Sequence, residues 1–238
     1  MNSSKTNVIR NGFLKDQSAN TNPFDTGYFS ENELKTFGFK AVGKNVKIAK
    51  NCTISGLSNI SLGDNVIIDA FCSIIATGEG QLQIGSFVHI GAFCHLLASA
   101  GIEMKDFSGL SQGVKIYSKS DDYSGKSMTN PTIPSKYKAV KSGKVIINEH
   151  VIIGANTIIL PGLTIGEGAS VGAVSLVSSN LDSWTVYFGN PLKRLTKRSQ
   201  DLLLKKEAFL KELKQKEMEL NRLKTLKKFN SDSISNPT

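Results

Sequence analysis

The chain has three imidazoles, His89, His95 and His150. An imidazole changes charge near neutral pH, so each is a candidate for removing a proton from an attacking hydroxyl or amine. His89 and His95 stand six residues apart, each directly before an aliphatic residue, Ile90 and Leu96; His150 precedes Val151. Asp122, or Asp121 beside it, offers a carboxylate to orient such a base. Cys52, Cys72 and Cys94 are an odd number of thiols without a CxxC pair. They fit neither a disulfide framework nor a zinc ribbon and suit a reducing cytoplasm. Each falls two residues before an aliphatic position and reads as core filling.

The sequence around these residues repeats. Aliphatic anchors fall at Val42, Ile48, Ile54; Leu62, Ile68, Ile74; Ile84, Ile90, Leu96; Met104, Leu110, Ile116; Ile147, Ile153, Ile159; and Ile165, Val171, Val177. The spacing within each set of three is six, and every insertion falls after a third member. Side chains two apart on an extended segment share a face. Three such segments close a triangular coil whose anchors stack inside a prism, and glycine after an anchor is expected to ease the turn. No coil buries its own apolar face, so stability comes from stacking. The expected fold is all-β, a parallel β-helix of about six three-strand coils over residues 42–190. His89 and His95 then point outward from adjacent faces, and His150 lies near a corner.

The longest insertion, residues 118–144, exceeds a simple turn and reads as an acceptor-binding loop reaching toward a neighbouring subunit. Residues 1–41 read as an N-terminal cap, with Ser30 and Glu33 forming a capping box for a short helix from Glu31. Residues 191–229 form a basic segment and helix, with Leu202, Leu203, Phe209, Leu210, Leu213, Leu220, Leu223 and Leu226 among Lys and Glu. This helix is expected to pack on the prism or on partner subunits. A basic membrane-surface helix is the sharper alternative, weakened by the absence of Trp and the alternation of Lys with Glu. Residues 230–238 are expected to be disordered.

Composition excludes several classes. Apolar residues make up 39% and charged residues 21%, too apolar for a disordered chain. No apolar run is long enough for a membrane span, and Met1 to Ser18 has no signal-peptide core. The net charge of +9 is concentrated: residues 193–228 hold 13 Lys and Arg against 5 Asp and Glu. The prism itself therefore makes no claim on nucleic acid.

The stretch VIIGANTIILPGLTIGEGASVGA, followed by FGNPLKRL, resembles the hexapeptide-repeat acyltransferases. The segment GAFCHLLASAGIEMKDFSGLSQGVKIYSKSDDYSG is similar to their sugar O- or N-acetyltransferase branch, involved in bacterial surface polysaccharides. The resemblance implies a left-handed β-helix, a homotrimer with active sites between prisms, and acetyl-CoA as co-substrate. It also implies cofactor contacts. Gly154, Ala155, Gly172 and Ala173 would line the pantetheine arm, and Lys193, Arg194, Lys197 and Arg198 would face the nucleotide phosphates. The acceptor is expected to be a sugar hydroxyl or a nucleotide-linked amino sugar. His89 leads as base because its VHIGA stretch matches a histidine-bearing stretch of the related sequences; His95 follows. Direct transfer needs no nucleophilic serine or cysteine, only a base and an oxyanion donor.

Two rivals remain at this level. Gamma-type carbonic anhydrases hold zinc on three histidines across such an interface, but His89 and His95 lack the expected H-x4-H spacing, so no metal site is assigned. A non-catalytic scaffold is disfavoured by the outward histidines, the loop and the basic ending.

Overall fold

The computed structural model describes residues 24–234. The polar stretch from Met1 to Ser18 and the last residues, 235–238, lie outside the described residues. The described residues form two compact units, divided between Thr196 and Lys197.

The first unit is a left-handed parallel β-helix. Its first face stacks the strands Ala41–Val42, Ile60–Leu62, Leu82–Ile84, Ile102–Met104, Val145–Ile147 and Thr164–Ile165. The second stacks Lys47–Ile48, Ile67–Ile68, His89–Ile90, Gly109–Leu110, Ile152–Ile153, Ser170–Val171, Thr185–Phe188 and Lys193–Lys197. The third stacks Thr53–Ser55, Ser73–Ile75, His95–Leu97, Lys115–Tyr117, Ile158–Ile159 and Leu176–Val177. Crossovers between parallel strands are normally right-handed because twisted strands feed them. Strands of two or three residues accumulate little twist, so that constraint loses its force here.

All the anchors are buried except Val42 and Ile54, which pack against the core from the first coil. Each buried anchor removes a full aliphatic side chain from water, on the order of 1.5–3 kcal/mol. Six complete coils match the repeat. The solenoid then runs past the expected boundary at 190. Leu181 pairs with Ile165, Thr185–Phe188 extends the second face, and Lys193–Lys197, expected as part of a basic segment and helix, is its last strand. Tyr187, of larger volume than the usual anchor, closes this partial seventh coil, and its hydroxyl accepts from the Asp182 N–H at 3.0 Å.

The turning device differs from the expected one. Glycines directly after anchors have ordinary φ and are required by close approach instead. A Cβ on Gly63 would lie 2.7 Å from the Gly85 carbonyl carbon, and one on Gly154 only 2.4 Å from the Ala173 nitrogen. Left-handed residues stand three before every anchor of the second face and before all but the first anchor of the third. At the corner entering the second face they are Asn45, Asn65, Phe87, Phe107, His150, Gly168 and Trp184. A left-handed L-residue costs about 1–2 kcal/mol. Stacking offsets that cost, because one corner residue per coil places side chains at the coil spacing. Phe87 and Phe107 stack at 4.8 Å, Phe107 and His150 at 5.3 Å, and Phe71 and Phe93 on the next corner at 5.0 Å.

The open N-terminal edge of the prism is covered by α1 (Glu31–Thr36), the helix expected from the capping box. The Ser30 hydroxyl accepts from the Glu33 N–H, and the Glu33 carboxylate accepts from the Ser30 N–H at 2.7 Å. Leu34 is buried beneath it, and Phe29 meets Phe37 edge-on. Such a cover hides strand edges that would otherwise pair with other chains. In the second unit, α2 spans Leu202–Ile234 and so continues past 229, where disorder was expected. Residues 230–234 contain no Gly or Pro to stop it; the next proline is Pro237. Among the described residues no helix is long and apolar enough to cross a membrane.

Close approach and open space give opposite expectations for two glycines. Gly63→Ala should lower stability by about 1–3 kcal/mol, because backbone must shift to admit the methyl group. Gly109→Ala should be neutral or slightly stabilising, since its Cβ would meet only the His89 carbonyl oxygen, at 3.7 Å. Thermal unfolding of both variants checks the contrast.

Candidate active site

The repeat register decides which outward side chains meet. His89 sits on the second face, directly over Ile67 of the coil below. Two residues beyond Ile67 comes Asp69, just past the anchor Ile68. Its carboxylate reaches the imidazole: His89 Nε2 lies 2.7 Å from Asp69 Oδ2. The other carboxylate oxygen, Oδ1, accepts from the Tyr28 hydroxyl at 3.1 Å. An ionised carboxylate only accepts, so it fixes the proton of neutral His89 on Nε2 and leaves the Nδ1 lone pair available. His89 is exposed on the outer surface of the prism. Burial and the Asp69 charge, in that order, push the Tyr28 phenol above its ordinary value, so it remains a donor.

The sequence reading missed Asp69. The four residues inserted between the second and third coils set a 22-residue register there, which brings His89 over Ile67, with Asp69 two residues on. A carboxylate after an anchor, where glycine is common, was the available signal. Asp122, the expected orienting group, is engaged elsewhere. It accepts from the Ser124 N–H and from the hydroxyls of Ser124 and Ser127, each at 2.9 Å. These bonds, from Ser124 first, hold its carboxyl below the usual range. Asp121 accepts from the Asn130 N–H at 3.2 Å. The long loop is therefore an ordered ribbon, closed at its base by antiparallel pairing of Lys119–Ser120 with Lys141–Ser142. Tyr123 at its outer part is almost fully exposed, as are parts of Met128 and Tyr137.

His95 lies on the third face, adjacent to the second as the repeat requires, beside Lys115 in register. Its ring leans on Tyr117 at 5.5 Å. Burial first, then the Lys115 charge, lowers its pKa below the ordinary 6.5. His150 is buried within the corner stack between Phe107 and Trp184. It supports the corner and has no open approach for a substrate.

Ser111 is a second residue the sequence reading passed over. It stands in Gly109-Leu110-Ser111-Gln112-Gly113, the spelling of a nucleophile elbow. No elbow forms: Leu110 ends a two-residue strand and the chain turns into the third face without a helix. The three cysteines line one interior edge, and each donates to a carbonyl of the next coil, from Cys52 to Asp69, Cys72 to Gly91 and Cys94 to Ser111.

The small residues expected to line a cofactor arm do form one patch. Gly154 packs against Gly172 and Ala173 of the coil above, with Ala155 beside it. Lys193 and Arg194 lie exposed on the last strand of the second face, which ends at Lys197; Arg194 pairs with Asp182 at 3.2 Å. A groove of about 500 Å³ on the first face carries Glu103, Asp106 and Glu149 against one Lys105. Three carboxylates make it a poor match for a phosphate-bearing ligand.

The His95 environment gives a sign that can be checked. A histidine held neutral by folding contributes stability that is present above pH 6.5 and falls as pH drops from there toward its folded value. In an NMR titration His95 should have its midpoint below 6.5, and Lys115→Met should raise that midpoint. A wild-type midpoint at or above 6.5 would contradict the burial argument.

No family model matches the chain. It is 41% identical over 176 residues to the dTDP-4-amino-4,6-dideoxy-D-glucose acyltransferase of Escherichia coli, covering 74% of this chain and 91% of that one. AntD, an N-acyltransferase from Bacillus cereus solved with dTDP and 3-hydroxybutyryl-CoA, is 44% identical with a TM-score of 0.76, over 79% of this chain and 99% of its own. A serine variant of AntD solved with dTDP-4-amino-4,6-dideoxyglucose and coenzyme A gives 43% and 0.76 over the same shares. Repeat, fold and near full-length identity agree: the chain belongs to the hexapeptide-repeat acyltransferases, in the sugar acyltransferase branch that holds the E. coli and B. cereus enzymes.

Proposed function

We propose that the protein transfers an acyl group from acyl-CoA to the amino group of a dTDP-linked 4-amino-4,6-dideoxy sugar. The observation that carries this reading is the identity of 41–44% to an acyltransferase named for that amino sugar and to an N-acyltransferase whose serine variant is solved with it, over nearly their whole length. It narrows the acceptor from the hydroxyl-or-amine choice the sequence left open. Acetyl-CoA is the expected donor, and the 3-hydroxybutyryl-CoA complex of AntD extends the class to short hydroxyacyl donors. A homotrimer, a cytoplasmic location and a role in surface polysaccharide synthesis belong to the same reading.

The residues divide the work as follows. The patch of Gly154, Ala155, Gly172 and Ala173 admits the pantetheine arm close to the backbone. The last strand, with Lys193, Arg194 and Lys197, meets the CoA phosphates. The acceptor amine attacks the thioester carbonyl; the C–N bond forms, the C–S bond breaks, and CoA leaves as thiolate. His89, held by Asp69, takes the proton from the attacking nitrogen through Nδ1 and returns it to the thiolate or to solvent. His95 is the alternative base, and the 118–144 loop with Asp121 and Asp122 contacts the nucleotide sugar.

One observation favours a second assignment of the polar groups around the amine. The AntD structures include replacements of one serine and one aspartate, ten positions apart. Ser111 and Asp121 form the one serine–aspartate pair at that spacing in this sequence. In this reading Asp121 accepts the amine proton and Ser111 orients the nitrogen, the two brought together at an interface between prisms. Steady-state kinetics separate the two. If His89 is the base, His89→Ala should cut kcat by about 10²–10⁴-fold with acyl-CoA affinity near wild type. Full activity in His89→Ala, with loss in Asp121→Asn, would move the role to Asp121.

A further inference from the structure

We infer that Tyr28, from the N-terminal segment outside the repeat, is a positioning residue that acts through Asp69 to fix the His89 tautomer. The inference rests on the reading of His89 as base. Residues 27–29 cross the prism antiparallel to its first coil: Tyr28 pairs with Ala49, Phe29 N–H donates to the Ile48 carbonyl at 2.9 Å, and Lys50 N–H donates to the Gly27 carbonyl at 3.0 Å. Those two backbone bonds on either side of Tyr28 fix where its ring stands. Its hydroxyl then reaches Asp69, on the coil above, at 3.1 Å.

The geometry gives each group one task. Asp69 extends from an exposed sheet, where a carboxylate alone would sample several rotamers. Its backbone is held by donation from its N–H to the Ile90 carbonyl at 2.9 Å. Its two oxygens are held separately, Oδ1 by Tyr28 and Oδ2 by His89. With Oδ1 tied, Oδ2 is directed at Nε2, and a half-exposed imidazole keeps one ring face and one tautomer. The same residues that cap the apolar end of the prism, Phe29 and Leu34, anchor the segment that carries Tyr28. The cap is thus also part of the site.

The test uses the full-length protein and long-range proton–nitrogen NMR of its three imidazoles, with His89→Asn as the assignment control. His89 should show a protonated Nε2 and an unprotonated Nδ1 in the wild type. Tyr28→Phe should shift population toward the other tautomer, and Asp69→Asn should shift it further. In acyl transfer, Tyr28→Phe should lower kcat on the order of 10-fold, the weight of one hydrogen bond to a charged group, with the KM for acyl-CoA unchanged. The double variant should be no slower than Asp69→Asn alone. A Tyr28→Phe spectrum identical to wild type, or losses that multiply in the double variant, would overturn the inference. Full turnover in His89→Ala with the tautomer shift intact would instead remove the base assignment and leave the positioning role standing.

Discussion

Everything in this protein depends on coils stacking in register. Each short strand hydrogen-bonds to the strand one coil below and one coil above, and its anchor touches the anchors there. A coil on its own has no interior. Register therefore does two jobs at once. It builds the core from Ile48 to Val177, and it converts sequence distance into columns of outward side chains. The aromatic corner of Phe87, Phe107 and His150 is one such column. The contact of His89 with Asp69 is another consequence, because only the 22-residue step between those coils places the two together.

The same constraint explains what glycine does here. Stacked coils bring backbone within van der Waals reach of backbone after several anchors, as at Gly63 and Gly154, so the missing Cβ serves proximity there. The left-handed corners are filled by residues whose side chains gain a neighbour every coil. Where that column meets Gly168, Trp184 from the next coil folds over it, with ring atoms about where a Cβ would stand. The corner is continuous because a large residue compensates a small one.

Much of this is legible in the sequence. A six-residue period with insertions confined to one corner specifies strands, faces and coil number, and it placed His89 and His95 on neighbouring faces correctly. The capping box at Ser30 and Glu33 located α1 to the residue. What the sequence hid was pairing between coils and the behaviour of irregular ends. Asp69 and Tyr28 lie 20 and 61 residues from His89, and only strand register or a crossing segment joins them. The partial seventh coil uses Tyr187 and a four-residue strand, so it breaks the hexad pattern while obeying the stacking rule. Ser111 was overlooked because direct transfer calls for no nucleophilic serine, so serines were not weighed as site residues.

The proposed activity turns on an amine attacking a CoA thioester, with the prism supplying position and a proton acceptor. The direct test is release of free CoA thiol by the purified protein, with acetyl-CoA and 3-hydroxybutyryl-CoA in turn. The acceptors are dTDP-4-amino-4,6-dideoxyglucose and, as control, dTDP-glucose, which has a hydroxyl in place of the amine. Saturable thiol release with the amino sugar and an acylated nucleotide sugar as product, with little release from the control, is the expected result. Equal release with both acceptors, or none with either donor, would contradict it.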